Sequence, residues 1–360
     1  MRLGRRHVLG LGLAAMARLA APRPGFADAT GERGDAARFL REFILQRAAP
    51  STDPWIEMHV VLALGAAFER DGKNLLDGLV ARTLVMESVG VRRYPHFPLD
   101  IERHPFHMLQ IMQSTEVPGD RVFETPHGKF SRRDLIDGGT ALLVPSEIDD
   151  ELSWVVAVLC NEFPPQRDRF ETARGLEIVV GDLVRRHLSE AEEAYADVLA
   201  VMRGERLYGK GPLHRTACNG MHLLFGLLEA MRYGYRQGDL VPRVERLVEA
   251  TLFRARLEPV LIDRAMPGDD PRIALNRDAA KFTFLGHAVE FFGYARRHGT
   301  LDLTPDAWRA AEAVRGQLVS LTERITTDYD LEALAGQVPR AYKLILGDAC
   351  HAYRGLRLWG

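Results

Sequence analysis

The sequence predicts an all-α protein, a single (α/α)6-like barrel in which helical hairpins close into a double ring. Three observations carry that prediction. Apolar residues recur at helical spacing in nearly every long segment, and alternating strand-like runs are scarce. The helical stretches have ordinary lengths and are joined by short polar turns, as a helical hairpin array requires. The helices also fall into two kinds. Val241 to Phe253 and Ala307 to Leu321 are amphipathic with a charged outer face, whereas His222 to Leu228 and Phe282 to Tyr294 are apolar nearly all round. A helix apolar on most sides is buried, so the second kind forms the inner ring.

In chain order, Gly4-Arg5-Arg6-His7-Val8-Leu9 opens a basic start and an apolar stretch to Ala21, and Ala27-Asp28-Ala29 supplies small residues for a signal peptidase. This layout predicts a cleaved twin-arginine signal over 1–29 and a periplasmic or secreted product. The apolar stretch carries Arg18 and is shorter than the roughly 20 residues that span a bilayer, so no membrane association is expected after processing. Residues 30–360 then form a single domain, without a Pro/Gly/Ser linker or a strong short-period repeat. After a first helix at 37–47, Ser51, Thr52, Asp53 and Pro54 are good starters for a helix from Trp55 to Phe68. Further helices are expected at 74–89, 104–114, 132–143, 148–162, 174–203 with a break, 214–234, 239–257, 279–297, 304–325 and 341–357. The inner ones start near 54, 104, 148, 214, 279 and 341, and the least regular stretches are 92–103, 116–131, 163–172, 204–213 and 260–278.

Charge excludes some partners. The chain has 47 basic and 49 acidic residues. Residues 1–29 hold five of the arginines and only Asp28 of the acids, so the processed chain has 42 basic against 48 acidic residues, net −6. A mildly acidic protein has no electrostatic footprint for nucleic acid or anionic lipid and stays open to small neutral ligands. The three cysteines, Cys160, Cys218 and Cys350, do not make a disulfide scaffold, although one bridge can form in an oxidising compartment.

Histidines carry the chemistry. Cys218-Asn219-Gly220-Met221-His222-Leu223-Leu224, Leu285-Gly286-His287-Ala288-Val289-Glu290 and Cys350-His351-Ala352-Tyr353-Arg354 each place one near the start of an expected inner helix. Cys218 and His222 lie four apart, Thr283, His287, Glu290 and Tyr294 step by four, three and four, and Lys343, Gly347, His351 and Arg354 by four, four and three. Polar stripes on apolar helices would meet at an enclosed site. A lone histidine on such a helix is most often a satisfied core residue, and three on helices of one kind weigh against that reading.

Here the sequence resembles the N-acylglucosamine 2-epimerase superfamily, which includes cellobiose epimerases and mannose isomerases. Met221-His222-Leu223-Leu224, Gly286-His287-Ala288-Val289-Glu290 and His351-Ala352-Tyr353-Arg354 match, in order, segments on the inner helices of those (α/α)6 barrels. The resemblance covers about residues 214–357. It implies a carbohydrate epimerase or isomerase without a cofactor. His287 and His351 would exchange protons beside a carbonyl, Glu290 would orient one of them, and His222 would contact substrate. Arg354, Tyr294, His59, His104, His107 and Trp154 are the further candidates to line the substrate. Bases titrating near neutral pH suit such a proton transfer, and a carboxylate one turn from His287 can fix its tautomer. The Trp55-x-x-x-His59 helix and the later helices are also similar to uncharacterised exported bacterial proteins.

Two alternatives stay open. Cys218 and His222 could chelate one ion, zinc above all, with His287, His351 or Cys350 completing the set, which makes a metal-dependent enzyme or carrier. The other is a non-catalytic barrel that binds a glycan or a partner. Glu147, Asp149, Asp150 and Glu151 could supply a glycosidase with carboxylates, but acids in a first helical turn are what the helix dipole favours anyway.

Overall fold

The computed structural model describes residues 29–148, 152–209 and 211–359. Residues 1–28 of the signal expected over 1–29 lie outside them, as do Asp149, Asp150 and Glu151. Among the described residues the protein is mainly helical, with 68% of them in helices. Among the described residues no helix is long and apolar enough to cross a membrane.

The first helix is α1 (Ala29–Phe43), continued by a π-helical turn over Ile44–Ala48. Helix α2 (Pro54–Leu64) starts as its sequence predicts: the Asp53 carboxylate accepts from Trp55 N at 3.0 Å and Ile56 N at 3.3 Å, and Pro54 sets the first turn. Helices α3 (Leu75–Thr83), α4 (Leu99–Glu102), α5 (His107–Ser114), α6 (Arg132–Leu142), α7 (Leu152–Glu162) and α8 (Val180–Met202) follow. The second half holds α9 (Met221–Arg232), α10 (Leu240–Ala265), α11 (Pro271–His298), α12 (Pro305–Thr327), α13 (Leu331–Ala335) and α14 (Pro339–Leu358).

Packing follows the two kinds of helix. Helix α2 packs on α5, α5 on α7, α7 on α9, α9 on α11 and α11 on α14, and α14 returns to α2. These are the six helices expected to be inner. The amphipathic α1, α3, α6, α8, α10 and α12 lie against them, and one apolar core runs from Leu40 to Trp359. Glycines let the inner helices meet closely. A Cβ on Gly355 of α14 would lie 2.6 Å from Glu290 N of α11, and one on Gly226 of α9 would lie 2.8 Å from Ser153 O of α7. Neither contact leaves room for a methyl group.

Several expected boundaries need correction. Eight short strands pair into four antiparallel hairpins: β1–β2 (Glu69–Arg70, Lys73–Asn74), β3–β4 (Val85–Val89, Arg92–His96), β5–β6 (Val122–Thr125, Gly128–Ser131) and β7–β8 (Arg169–Glu171, Glu177–Val179). The helix expected over 74–89 therefore ends at Thr83 and turns into β3, and the broken helix expected over 174–203 is instead β8 followed by the unbroken α8 from Val180 to Met202. Three of the hairpins form a spaced repeat. Phe68-Glu69, Phe123-Glu124 and Phe170-Glu171 each open a hairpin that runs from an inner helix into the start of an outer one. Strands of two to five residues are too short to show alternation, so the sequence reads as loop there. In the second half, α11 starts at Pro271 under an Asp270 cap and α14 at Pro339, which places His287 and His351 in mid-helix. Helix α10 continues through Pro259 to Ala265.

Candidate metal centre

Each of the six inner helices, or the turn that opens it, brings an aromatic or imidazole ring to one point. Helix α2 contributes His59, α5 and its preceding turn His107 and His104, α7 Trp154, α9 His222, α11 His287 and α14 His351. The imidazoles form a closed cycle. Ring centroids are 5.5 Å apart for His59 and His107, 5.5 Å for His107 and His104, and 5.3 Å for His104 and His222. The cycle closes through 5.4 Å from His222 to His287, 3.9 Å from His287 to His351 and 4.9 Å from His351 to His59. Trp154 fills one side, stacked on His107 and 4.6 Å from His222, while Trp55 sits 4.2 Å from His59. Gly347 makes room for Trp55, since a Cβ there would lie 2.3 Å from the indole.

The rings are held by their outer nitrogens. His59 Nδ1 donates to Trp55 O at 2.5 Å, His287 Nδ1 to Thr283 O at 2.8 Å and His107 Nδ1 to Glu102 O at 3.3 Å. His351 Nδ1 donates to Glu290 Oε2 at 2.6 Å, and Arg354 holds the other oxygen of that carboxylate. A carbonyl can only accept, so His59, His107 and His287 keep a proton on Nδ1 and turn the Nε2 lone pair toward their neighbours. Among the described residues His287 Nε2 and His222 Nδ1 are buried with no hydrogen-bond partner. Such an atom costs about 1–3 kcal/mol until something satisfies it.

Burial keeps five of the six imidazoles neutral. It lowers His287 and His107 to about 3 and His104 to about 4, with neighbouring imidazoles adding to the effect. His59 and His222 fall well below the ordinary value for the same reasons. Glu290 moves down to about 2 because His351 and Arg354 outweigh its burial, whereas burial raises Asp348, which lies 3.7 Å from His287 Nδ1, to about 6. Burial also raises the Cys218 thiol, and a cation is what would draw its proton off.

The Cys218 sulfur and one ring nitrogen each of His222 and His287 lie within 4.8 Å of one another. Bond lengths of about 2.3 Å to sulfur and 2.0 Å to nitrogen put tetrahedral donors roughly 3.3–3.6 Å apart, so an adjustment of about 1 Å would close the set on one ion. Free space at the centre is about 10 Å³, bounded by His107, Trp154, His222, His287, His351 and Arg354. That is room for about one water or ion. Cys218 and His104 are only half-buried and form the outer edge of the cluster.

Of the residues expected at the site, His59, His104, His107, Trp154, His222, His287, Glu290, His351 and Arg354 come together. Tyr294 does not: its hydroxyl takes a hydrogen bond from Arg232 and its ring packs on Phe225 and His298. Sequence reasoning missed Asp348, although an aspartate one turn before His351 on an apolar helix face is the signal that could have found it. Cys160, Cys218 and Cys350 are all free thiols. No protein-family model, curated protein or solved structure matches this chain.

Proposed function

We propose that the protein is a metal-dependent enzyme whose zinc-type ion is held by Cys218, His222 and His287, with His351 facing the ion across the cluster. We read the closed succession of inner helices as an (α/α)6-like barrel, and Arg5-Arg6 with its apolar run as the export signal that takes the protein to the periplasm. The observation that carries the proposal is the donor set itself. Burial keeps both imidazoles of the set neutral, the Thr283 carbonyl anchors His287 through Nδ1, which is how ligating histidines are oriented, and a nitrogen of each ring lies near the Cys218 sulfur, beside a small space that His222 and His287 line. Three protein donors and one position for a small ligand is the pattern of catalytic rather than structural zinc. A bound divalent ion would supply Lewis acidity to a polar substrate.

Elemental analysis of the purified protein tests this. About one zinc-type ion per chain is expected, falling at least tenfold in C218S and H287A after equilibration with a weak chelator. Wild-type protein that carries none and takes none up in a zinc titration overturns the reading.

A second reading keeps proton transfer on a carbohydrate, favoured by the Glu290–His351 hydrogen bond of 2.6 Å. Rings 3.9 Å apart leave no room for a sugar carbon between His287 and His351. The pair would work from one face, which suits an aldose–ketose isomerase better than an epimerase. Deuterium uptake by sugars in heavy water, undiminished by chelator, would favour this reading over the metal one.

A further inference from the structure

The turn that precedes α9 has an unusual backbone. Cys218, Asn219 and Gly220 are three consecutive left-handed residues, at φ 47°, 55° and 76°. Only the last is a glycine, and L-residues with a Cβ rarely hold this conformation unless their surroundings impose it. The imposing group comes from an outer helix. Arg254 of α10 is 0% exposed, and its Nη1 donates to Asn219 O at 3.0 Å. Its Nε and Nη2 donate to Glu258 Oε1 at 3.2 and 3.1 Å, and its guanidinium lies 4.9 Å from the Phe284 ring centre and 5.6 Å from that of Tyr195. Glu258 is fixed in turn by His214 Nε2 at 3.0 Å and by the Tyr208 hydroxyl. An ion pair buried this deeply gains little stability over apolar residues of the same size, so its use must be sought in what it holds.

We infer that Arg254 is a positioning residue for the sulfur donor. It acts through the Asn219 carbonyl, locking the left-handed turn so that Cys218 Sγ faces His222 and His287. This inference rests on the metal reading of that site. Without the guanidinium, Cys218 and Asn219 relax to negative φ and the thiol swings away from the imidazoles. Lysine cannot replace it, because the role requires one planar fork that serves Glu258 and a carbonyl at fixed angles.

Cobalt(II) uptake by the full chain tests the inference. A thiolate bound to cobalt gives a sulfur-to-metal charge-transfer band in the near ultraviolet, while the visible bands report coordination as a whole. The wild type is expected to show the sulfur band and C218S to lack it. R254M is expected to lose most of that band and to bind cobalt about 10–100-fold more weakly, as loss of a ligand's supporting partner does. R254K is expected to resemble R254M. Adding N219G to R254M is expected to restore the band in part, since glycine adopts the left-handed turn without steric cost. A purely structural arginine would lower Tm and leave the band of the folded protein unchanged. Folded R254M with wild-type band and affinity overturns the inference. If R254M does not fold, E258Q carries the same test by loosening the fork: a weakened band supports the inference and an unchanged one overturns it. A wild-type chain that takes up no cobalt overturns the metal site and this inference with it, whereas wild-type uptake with an unaffected R254M overturns this inference alone.

Discussion

At the scale of single residues, the site depends on what sits behind each imidazole. His187 makes the comparison. It is fully buried, pairs its Nε2 with Leu223 O at 2.9 Å, and stands on an outer helix away from the cluster. It is a core histidine with one nitrogen paired, while its Nδ1 is buried with Glu190 4.0 Å away. His287 and His351 have the same local sequence character and a different fate, because their Nδ1 anchors aim Nε2 at other rings. Glu290 bears most of this arrangement, since it holds both His351 and Arg354 at 3% exposure. Its replacement by glutamine would leave the Arg354 guanidinium buried without a countercharge. Loss of one partner of such a pair costs about 3–5 kcal/mol, so E290Q is expected to lower stability by that order in urea denaturation. Five of the six site histidines were legible because each lies on an otherwise apolar helix, whereas His104 sits in the turn before α5. The left-handed Cys218 turn was not, since only its last residue is a glycine and Arg254, which holds it, lies on another helix 35 residues away in sequence.

At the scale of elements, the close approach of α11 and α14 sets how near His287 comes to His351. Gly293 and Gly355 form that seam: a Cβ on Gly293 would lie 2.8 Å from Gly355 O. Because the atoms met there are backbone, no side-chain rotation relieves the clash. G355A is expected to destabilise the protein by about 1–3 kcal/mol, as overpacking does, and to widen the gap between the two rings. A thermal melt would read the first effect. Weakened quenching of a metal-responsive probe at the site would read the second. Helical character followed from periodicity, and a helix lies at each of the six places where an inner one was expected. The hairpins were missed for a physical reason. Each is stabilised by a tight turn and by neighbouring helices rather than by an alternating face of its own, as at β5–β6, where Phe123 is buried beside the capping box of Ser131 and Asp134.

At the scale of the whole molecule, the buried histidines tie stability to pH. Burial lowers His107 to about 3 and His187 to about 4, while the unfolded chain titrates each near 6.5. Between those values the unfolded state holds protons that the native state lacks. Stability is therefore complete above about pH 6.5 and falls as acid is added, until the folded values are reached. Glu102 opposes this trend, since burial raises it to about 8 and favours the native state at lower pH. With His59, His104, His107, His187, His222 and His287 all lowered against Glu102 and Asp348 raised, the metal-free protein is expected to lose stability from pH 7 to pH 5. H187Q is expected to make that loss shallower, and urea midpoints across the range would measure both. A midpoint that rises toward pH 5 contradicts this account.

The last inner helix also completes the circle, because His351 reaches His59 across nearly the whole polypeptide and Lys343 pairs with Asp53 beside Trp55. Removing α14 would therefore take away His351, Arg354 and Lys343 together and strip His59 and His287 of their contact with the His351 ring.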